Sequence, residues 1–239
     1  MTQTMSRRSF VAGTAGVAGA SLVAGSAGAQ APASAPAPAQ AQAQAREAPD
    51  LAQAVQAGRL PPLAQRIPSR PMVVTPVERV GTYGGSMRRG LSGSSDDNGI
   101  LRMLGNMGLT RWNMEMTDVL PNVAERWEVS ADSSEFTFFL RPGMKWSDGQ
   151  PFGADDLIFA FEDCLANNEL YRAPPAIYVI NDRLPTVTKV GDDAVRFKFA
   201  GPFGLFLQIL ATPLGQHPTL FPKHFARQFH PKYLSLIHI

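Results

Sequence analysis

The residues best able to do chemistry are few, and the histidines lie near one end of the sequence. His217, His224, His230 and His238 all fall within the last twenty-three residues. A transition-metal site needs His, Cys or carboxylate ligands at a fixed helical or turn spacing, and this stretch offers none. The single cysteine, Cys164, allows no internal disulfide. The sequence therefore predicts no metal site and no cofactor.

Two pairs of neighbouring carboxylates could supply a general acid and a general base. Asp155–Asp156 opens an apolar pattern of helical spacing, where carboxylates interact favourably with the positive end of the helix dipole. Asp192–Asp193 follows Gly191 in a turn pattern between two apolar runs. No glycine loop followed by Lys and Ser or Thr is present to cradle a phosphate. These contexts favour structural roles, and the sequence predicts that the protein is not an enzyme.

Alternating and helical patterns predict the elements that position these residues. Phe136, Phe138 and Leu140 lie on one face of a half-buried strand over Glu135–Arg141. An apolar stripe predicts a helix from Asp155 to Asn167, on which Cys164 is buried. The other predicted elements are a weak helix within Glu47–Leu63, a first strand over Met87–Leu91, a short helix at Ile100–Leu104, and strands at Val187–Val190 and Ala194–Ala200, the last with Val195, Phe197 and Phe199 facing the core. Because strands and helices interleave, the predicted class is α/β.

Residues 1–29 have the layout of an export signal. Arg7 and Arg8 precede a weakly hydrophobic run from Val11 to Ala24, and Ala27-Gly28-Ala29 offers a small-residue cleavage site. The paired arginines resemble a twin-arginine signal, and an ordinary secretory signal that carries two arginines is the alternative. The run is shorter than the roughly 20 residues a membrane-spanning helix needs, and no cysteine lies near the cleavage site. We therefore expect an exported, periplasmic protein without a lipid anchor.

Composition divides the rest of the chain. Residues 30–79 begin with an Ala/Pro/Gln tract and continue through several prolines, which predicts a disordered linker and an extended segment. Residues 80–233 carry the folded pattern. Loss of Arg7 and Arg8 with the signal leaves 20 basic against 20 acidic residues, and Arg88–Arg89 is too short for a basic patch, so no nucleic-acid partner is predicted.

The last six residues, 234–239, read LSLIHI. A common transposase sequencing adaptor gives the same string when it is translated in one frame. We expect these residues to be an artefact at the end of a truncated reading frame; a genuine short apolar terminus is the alternative. Sequencing of the genomic locus distinguishes the two.

The most specific pattern lies between residues 120 and 161, with the strings AERWEVS, LRPGMKWSDG and PFGADDLIF in that order. The residues that carry it are Pro121, Glu125, Trp127, Arg141, Gly143, Trp146, Asp148, Gly149, Asp155 and Asp156. This block resembles the signature region of the family 5 solute-binding proteins, which include oligopeptide, dipeptide and nickel binders. Flanking similarities extend the resemblance from about Val80 to His224. One departure is Gly153, where the family usually has Ser or Thr to cap the following helix.

The physical reading of the block is structural. Trp146–Gly149 predicts a tight turn in which Asp148 accepts backbone N–H groups and Gly149 takes a positive φ. Trp127 and Trp146 provide large apolar areas, for which core packing is favoured over ligand stacking.

The resemblance implies the N-terminal portion of a two-lobed, type II periplasmic-binding-protein-like fold. It also implies a monomer that captures a peptide or similar small solute, without a cofactor, and delivers it to an ABC permease in the inner membrane. Most ligand contacts are then expected in a later half that this sequence lacks. Within the chain, the polar segments after the first strand are the cleft candidates: Ser94, Asp96, Asn98, Asn106 and Trp112.

Two functions of other classes remain as alternatives. Twin-arginine export also serves periplasmic enzymes and cofactor proteins, which would require a metal or cofactor motif that the sequence does not show. A structural periplasmic domain would bind no solute. Saturable solute binding without turnover distinguishes the transport function from both.

Overall fold

The computed structural model describes residues 46–93, 96, 99 and 107–234. Residues 46–93 have little regular structure. Helix α1 spans Pro49–Gln56 and helix α2 spans Leu63–Arg66. Pro49 occupies the start of α1, a position where the missing N–H of proline would have no helical partner anyway. The weak helix predicted within Glu47–Leu63 therefore forms over its first half.

Two antiparallel sheets follow. Strands β1 (Thr110–Trp112) and β2 (Val119–Pro121) form a hairpin. The larger sheet has the order β3-β4-β6-β5, with strands β3 (Ala124–Val129), β4 (Glu135–Leu140), β5 (Thr186–Gly191) and β6 (Ala194–Lys198). All its pairings are antiparallel. The strands predicted at 135–141, 187–190 and 194–200 are confirmed to within two residues at each end.

The core lies on one face of the larger sheet. Phe136 and Phe138 of β4 and Phe197 of β6 are buried, and the predicted core positions Val195 and Phe199 are also buried. Helix α4 (Phe206–Leu210) covers them. The ring of Phe206 lies edge-on to Phe136 and Phe199, at centroid distances of 5.0 and 4.7 Å, in the arrangement that aromatic quadrupoles favour.

The predicted helix after Gly153 is confirmed, with one difference. Helix α3 spans Ala154–Phe159 and continues as a π-helical turn over Ala160–Leu165. Gly153 is the N-cap, and the carboxylate of Asp156 accepts its N–H at 3.0 Å, so a side chain from the first turn supplies part of the capping. Cys164 is buried, as its apolar stripe predicts.

The remaining elements are short. A single 3₁₀ turn lies at Ala176–Tyr178 and a longer 3₁₀ helix at Pro213–Thr219. Helix α5 (Lys223–Ala226) runs into a 3₁₀ turn at Arg227–Phe229. None of the helices in the described part of the chain combines the length and apolar character needed to cross a bilayer.

The strand predicted over Met87–Leu91 was wrong. This segment is irregular, and Met87 and Leu91 are exposed. A strand needs a ladder partner, and no described strand pairs with this segment. The helix predicted at Ile100–Leu104 lies outside the described residues.

Candidate ligand-binding site

The signature block forms a tight turn where its sequence predicts one. The N–H of Gly149 donates to the carbonyl of Trp146 at 2.9 Å, and Gly149 has φ +87°. The Asp148 carboxylate accepts the N–H of Gln150 at 3.0 Å. These bonds confirm the predicted roles of Asp148 and Gly149. Two hydrogen bonds lower the pKa of the Asp148 carboxyl: the larger effect comes from the backbone N–H of Gln150, and the next largest from the side chain of His224.

Two signature carboxylates hold the start of α5. Nε2 of His224 lies 2.6 Å from Oδ2 of Asp148. The second carboxylate, of Asp156, accepts the backbone N–H of Lys223 at 2.9 Å in addition to its cap bond to Gly153. Asp156 is buried, and a buried carboxylate requires such partners. Both carboxylates therefore connect α5 to segments that are distant in the sequence.

A third set of contacts connects the signature block to Arg70, which precedes the first strand. Nε of Arg141 donates to the carbonyl of Asn122 at 2.9 Å, and its Nη1 donates to the carbonyl of Arg70 at 3.0 Å. Arg70 in turn forms an ion pair with Glu125 at 2.9 Å. Burial lowers the pKa of the Arg141 guanidinium, while the Glu125 charge opposes that effect.

The other signature residues are structural as well. Pro121 ends β2, and Gly143 turns the chain with φ +78°. Trp127 and Trp146 are half-buried and pack against the core cluster, which supports packing over ligand stacking. Asp155 forms an exposed ion pair with Lys189 at 3.0 Å.

Two of the five cleft candidates fall on described residues. The Asp96 carboxylate accepts the N–H of Ser92 at 2.6 Å, so its hydrogen bond lies within the loop that contains it. Trp112 ends β1 and is half-buried. The structure records no contact that brings these two residues together. Ser94, Asn98 and Asn106 lie outside the described residues.

Sequence reasoning missed a cavity beside the signature turn. It measures about 480 Å³ and is lined by Leu60, Pro61, Gln65 and Arg66 on one side and by residues 145–149 on the other. Nζ of Lys145 donates to the carbonyl of Gln65 at 2.7 Å at its edge. Nε1 of Trp146 is buried without a hydrogen-bond partner among the described residues. Residues 60–66 carry no signal for such a contact, because the partner turn is 80 residues away.

The His, Cys, Asp and Glu side chains in the described part of the chain do not cluster as metal ligands. No group of three or more His, Cys, Asp or Glu there is arranged to hold an ion. His230 is buried, and its Nε2 lies 2.8 Å from the carbonyl of Asp163. His217 lies against Tyr178.

Comparison with known proteins identifies the scaffold. Residues 118–234 match the model of the bacterial extracellular solute-binding proteins, family 5 middle region. The chain is 30% identical over 201 residues to the periplasmic alpha-galactoside-binding protein of Rhizobium meliloti, covering 75% of this chain and 28% of that protein.

Two solved structures show the same fold. An oligopeptide-binding protein superposes with a TM-score of 0.73 at 39% identity, covering 81% of this chain and 30% of the other. A periplasmic binding protein from Agrobacterium fabrum C58, in complex with stachyose, superposes with a TM-score of 0.59 at 28% identity, covering 80% and 32%. The chain thus spans about 30% of the length of these relatives.

These findings confirm the predicted fold class, a portion of the type II periplasmic-binding-protein fold. The relatives are named as binding proteins, which agrees with the prediction of a role other than catalysis. Residues 118–234 are thus those of a bacterial extracellular solute-binding protein of family 5.

Proposed function

We propose that this chain is part of the solute-capturing component of an ABC importer, and that the solute is a peptide. The observation that carries the proposal is the 39% identity to an oligopeptide-binding protein, sustained over 81% of the chain with a TM-score of 0.73. The engaged signature carboxylates support a binding role, since Asp148 and Asp156 are both occupied in holding α5.

An oligosaccharide is the second candidate solute. Two long matches support it: the alpha-galactoside-binding protein of Rhizobium meliloti and the stachyose complex from Agrobacterium fabrum each match at least three-quarters of this chain. Their identities, 30% and 28%, are lower than the 39% of the oligopeptide-binding protein. The peptide therefore remains the first proposal.

The proposed mechanism is closure of two lobes on the solute. A ligand that contacts both lobes stabilises the closed form, and a membrane permease recognises that form. The described residues supply part of one lobe, in which the Phe core and the contacts of Asp148, Asp156 and Arg141 hold the segments together. Ser94, Asp96, Asn98, Asn106 and Trp112 remain proposed contributors to the cleft.

The proposed location is the periplasm, reached by the twin-arginine route without a lipid anchor. The basis is Arg7–Arg8, the weakly hydrophobic run that follows, and the absence of a cysteine beside Ala27-Gly28-Ala29. Replacement of both arginines by lysine should block export through that route, whereas an ordinary secretory signal should tolerate the change.

Calorimetric titration of the intact protein from the same locus tests the solute. A mixed tri- to pentapeptide library forms one arm, and raffinose and stachyose form the other. Saturable peptide binding with unchanged peptide recovered by mass spectrometry supports the proposal. Sugar binding alone would select the second candidate, and turnover of either compound would refute the binding role.

A further inference from the structure

The turn that joins β1 to β2 presents two methionines to solvent. Met114 is 76% exposed and Met116 is 69% exposed, although methionine usually fills gaps in apolar cores. Both lie in one tight turn, in which the N–H of Met116 donates to the carbonyl of Asn113 at 3.2 Å. Two thioether sulfurs are thus displayed within three residues.

Polar groups, and not the methionines, hold this turn together. The side-chain oxygen of Asn113 accepts the N–H groups of Thr117 at 2.8 Å and Asp118 at 3.1 Å. The N–H of Asn113 donates to the carbonyl of Asp118 at 2.9 Å. Met116 has φ +57°, a left-handed conformation in which Asn, Asp or Gly is usual. Neither the hydrogen bonds nor the backbone explains a methionine at either position.

The spacing suits one soft metal ion. Two residues separated by one other have Cα atoms no more than about 7 Å apart, because consecutive Cα atoms are about 3.8 Å apart. Methionine side chains have three rotatable bonds, so both sulfurs can reach a shared point between them. Thioether sulfur is a soft ligand that suits Cu(I) and similar soft ions, and not the hard ions Mg²⁺ and Ca²⁺.

The surroundings favour a cation. Glu115 and Asp118 bring two exposed carboxylates to the same turn, against one half-buried guanidinium at Arg111. Trp112, two residues before Met114, is half-buried at the end of β1. An aromatic face attracts a cation that lies over it.

We propose that the Met114–Met116 turn binds one monovalent soft metal ion, Cu(I) or Ag(I), through both thioether sulfurs. This site is independent of the solute proposed above. It requires no redox step, because the ion is bound in the oxidation state in which it arrives.

Silver nitrate titration of the full chain, in chloride-free buffer and with ¹³C-methyl methionine, tests the site. We expect the methyl resonances of Met114 and Met116 to move together and to saturate at one equivalent of Ag⁺. Met114→Leu should weaken the response at Met116 at least tenfold, and Met116→Leu should do the same at Met114. Leucine keeps the apolar volume, so each variant removes only the sulfur.

Met87 provides the matched control, since it is 63% exposed and has no methionine within two residues. Met87→Leu should leave the turn unchanged. The titration uses a Cys164→Ala background, because a thiol binds Ag⁺ more tightly than a thioether and would otherwise take up the first equivalent. If the turn responds only at the Ag⁺ concentrations that Met87 needs, or if the single variants leave the partner's response intact, the proposal is overturned. An equal response to Zn²⁺ would also overturn it.

Discussion

Nε2 of His224 lies 2.6 Å from Oδ2 of Asp148, across 76 residues of sequence. The neighbouring residue of α5, Lys223, donates its backbone N–H to Asp156. Two carboxylates of the signature block, eight positions apart in the sequence, therefore bind two consecutive residues of one short helix. This explains why a helix of only four residues, Lys223–Ala226, keeps a defined position.

The first contact makes stability depend on pH. Bonding from Gln150 and then His224 lowers the folded-state pKa of Asp148 below 3.8. The stabilisation is therefore present above pH 3.8 and is lost as the pH falls through the folded-state pKa. In thermal unfolding, we expect Asp148→Asn to lower the Tm at pH 7 by about 1–3 °C, the range for an exposed pair in a chain of this size.

The same scans should show the difference disappear at acidic pH, because protonated Asp148 then resembles asparagine. Asp193→Asn is the control: its backbone carbonyl, 2.7 Å from the N–H of Leu140, is unaffected by the change. A Tm difference for Asp148→Asn that stays constant from pH 7 to pH 3 would contradict the linkage.

The second contact is buried and should matter more. Asp156→Ala removes the acceptor for two backbone N–H groups, those of Gly153 and Lys223. We expect the free energy of unfolding to fall by about 2–4 kcal/mol, combining a lost cap with a buried donor left unpaired. Urea denaturation measures this loss.

Asp155→Ala is the matched control for that measurement. Its ion pair with Lys189 is exposed, so its loss should cost less than about 1 kcal/mol. Equal losses for the two variants would show that the buried bonds add nothing.

The sequence predicted the strands and helices whose apolar residues recur at a regular local spacing. The alternation from Phe136 to Leu140 gave the strand and its buried face, and the apolar stripe after Gly153 gave α3 and the burial of Cys164. The turn at Asp148 was predicted because its donor, Gln150, is two residues away.

Contacts between residues far apart in the sequence could not be predicted from local patterns. The bonds from Asp148 to His224 and from Lys145 to Gln65 join residues 76 and 80 positions apart, with no pattern that links them. The strand expected at Met87–Leu91 failed for the same reason, since a ladder depends on a partner that the segment itself does not specify. Of the cleft candidates, Asp96 proved to bond within its own loop.

Shortening a side chain in the aromatic core should lower the stability of the protein strongly. Phe206 is fully buried against Phe136, Phe138, Phe197, Phe199 and Phe203. We expect Phe206→Ala to lower the free energy of unfolding by about 3–5 kcal/mol, because transfer and cavity terms add. Phe229→Ala should change it by less than about 0.5 kcal/mol, since Phe229 is 67% exposed. Comparable losses in urea denaturation would contradict the assigned core.

The turn between β3 and β4 should hold one unusually acidic carboxyl. Hydrogen bonds from Ser130 and then Ser134 lower the pKa of Asp132 to about 2. A ¹³C carboxyl titration should therefore place its midpoint near pH 2, and Ser130→Ala should move that midpoint towards 3.8. A midpoint near 3.8 in the unsubstituted protein would show that the serine bonds are not kept in solution.

Cys164 should be almost inert in the folded protein. It is 3% exposed, and burial, with a smaller contribution from Asp163, raises its pKa from 9.0 to about 11. Because the thiolate is the reactive form, the pKa shift alone lowers the reactive fraction at pH 8 by about 100-fold, and burial slows access further. We expect labelling by a thiol reagent to be at least 100-fold slower in native buffer than in 8 M urea, where the ordinary pKa and full access return. Labelling within tenfold of the unfolded rate would mean that the π-helical turn opens readily and that the described packing around Phe161 and Leu165 does not persist in solution.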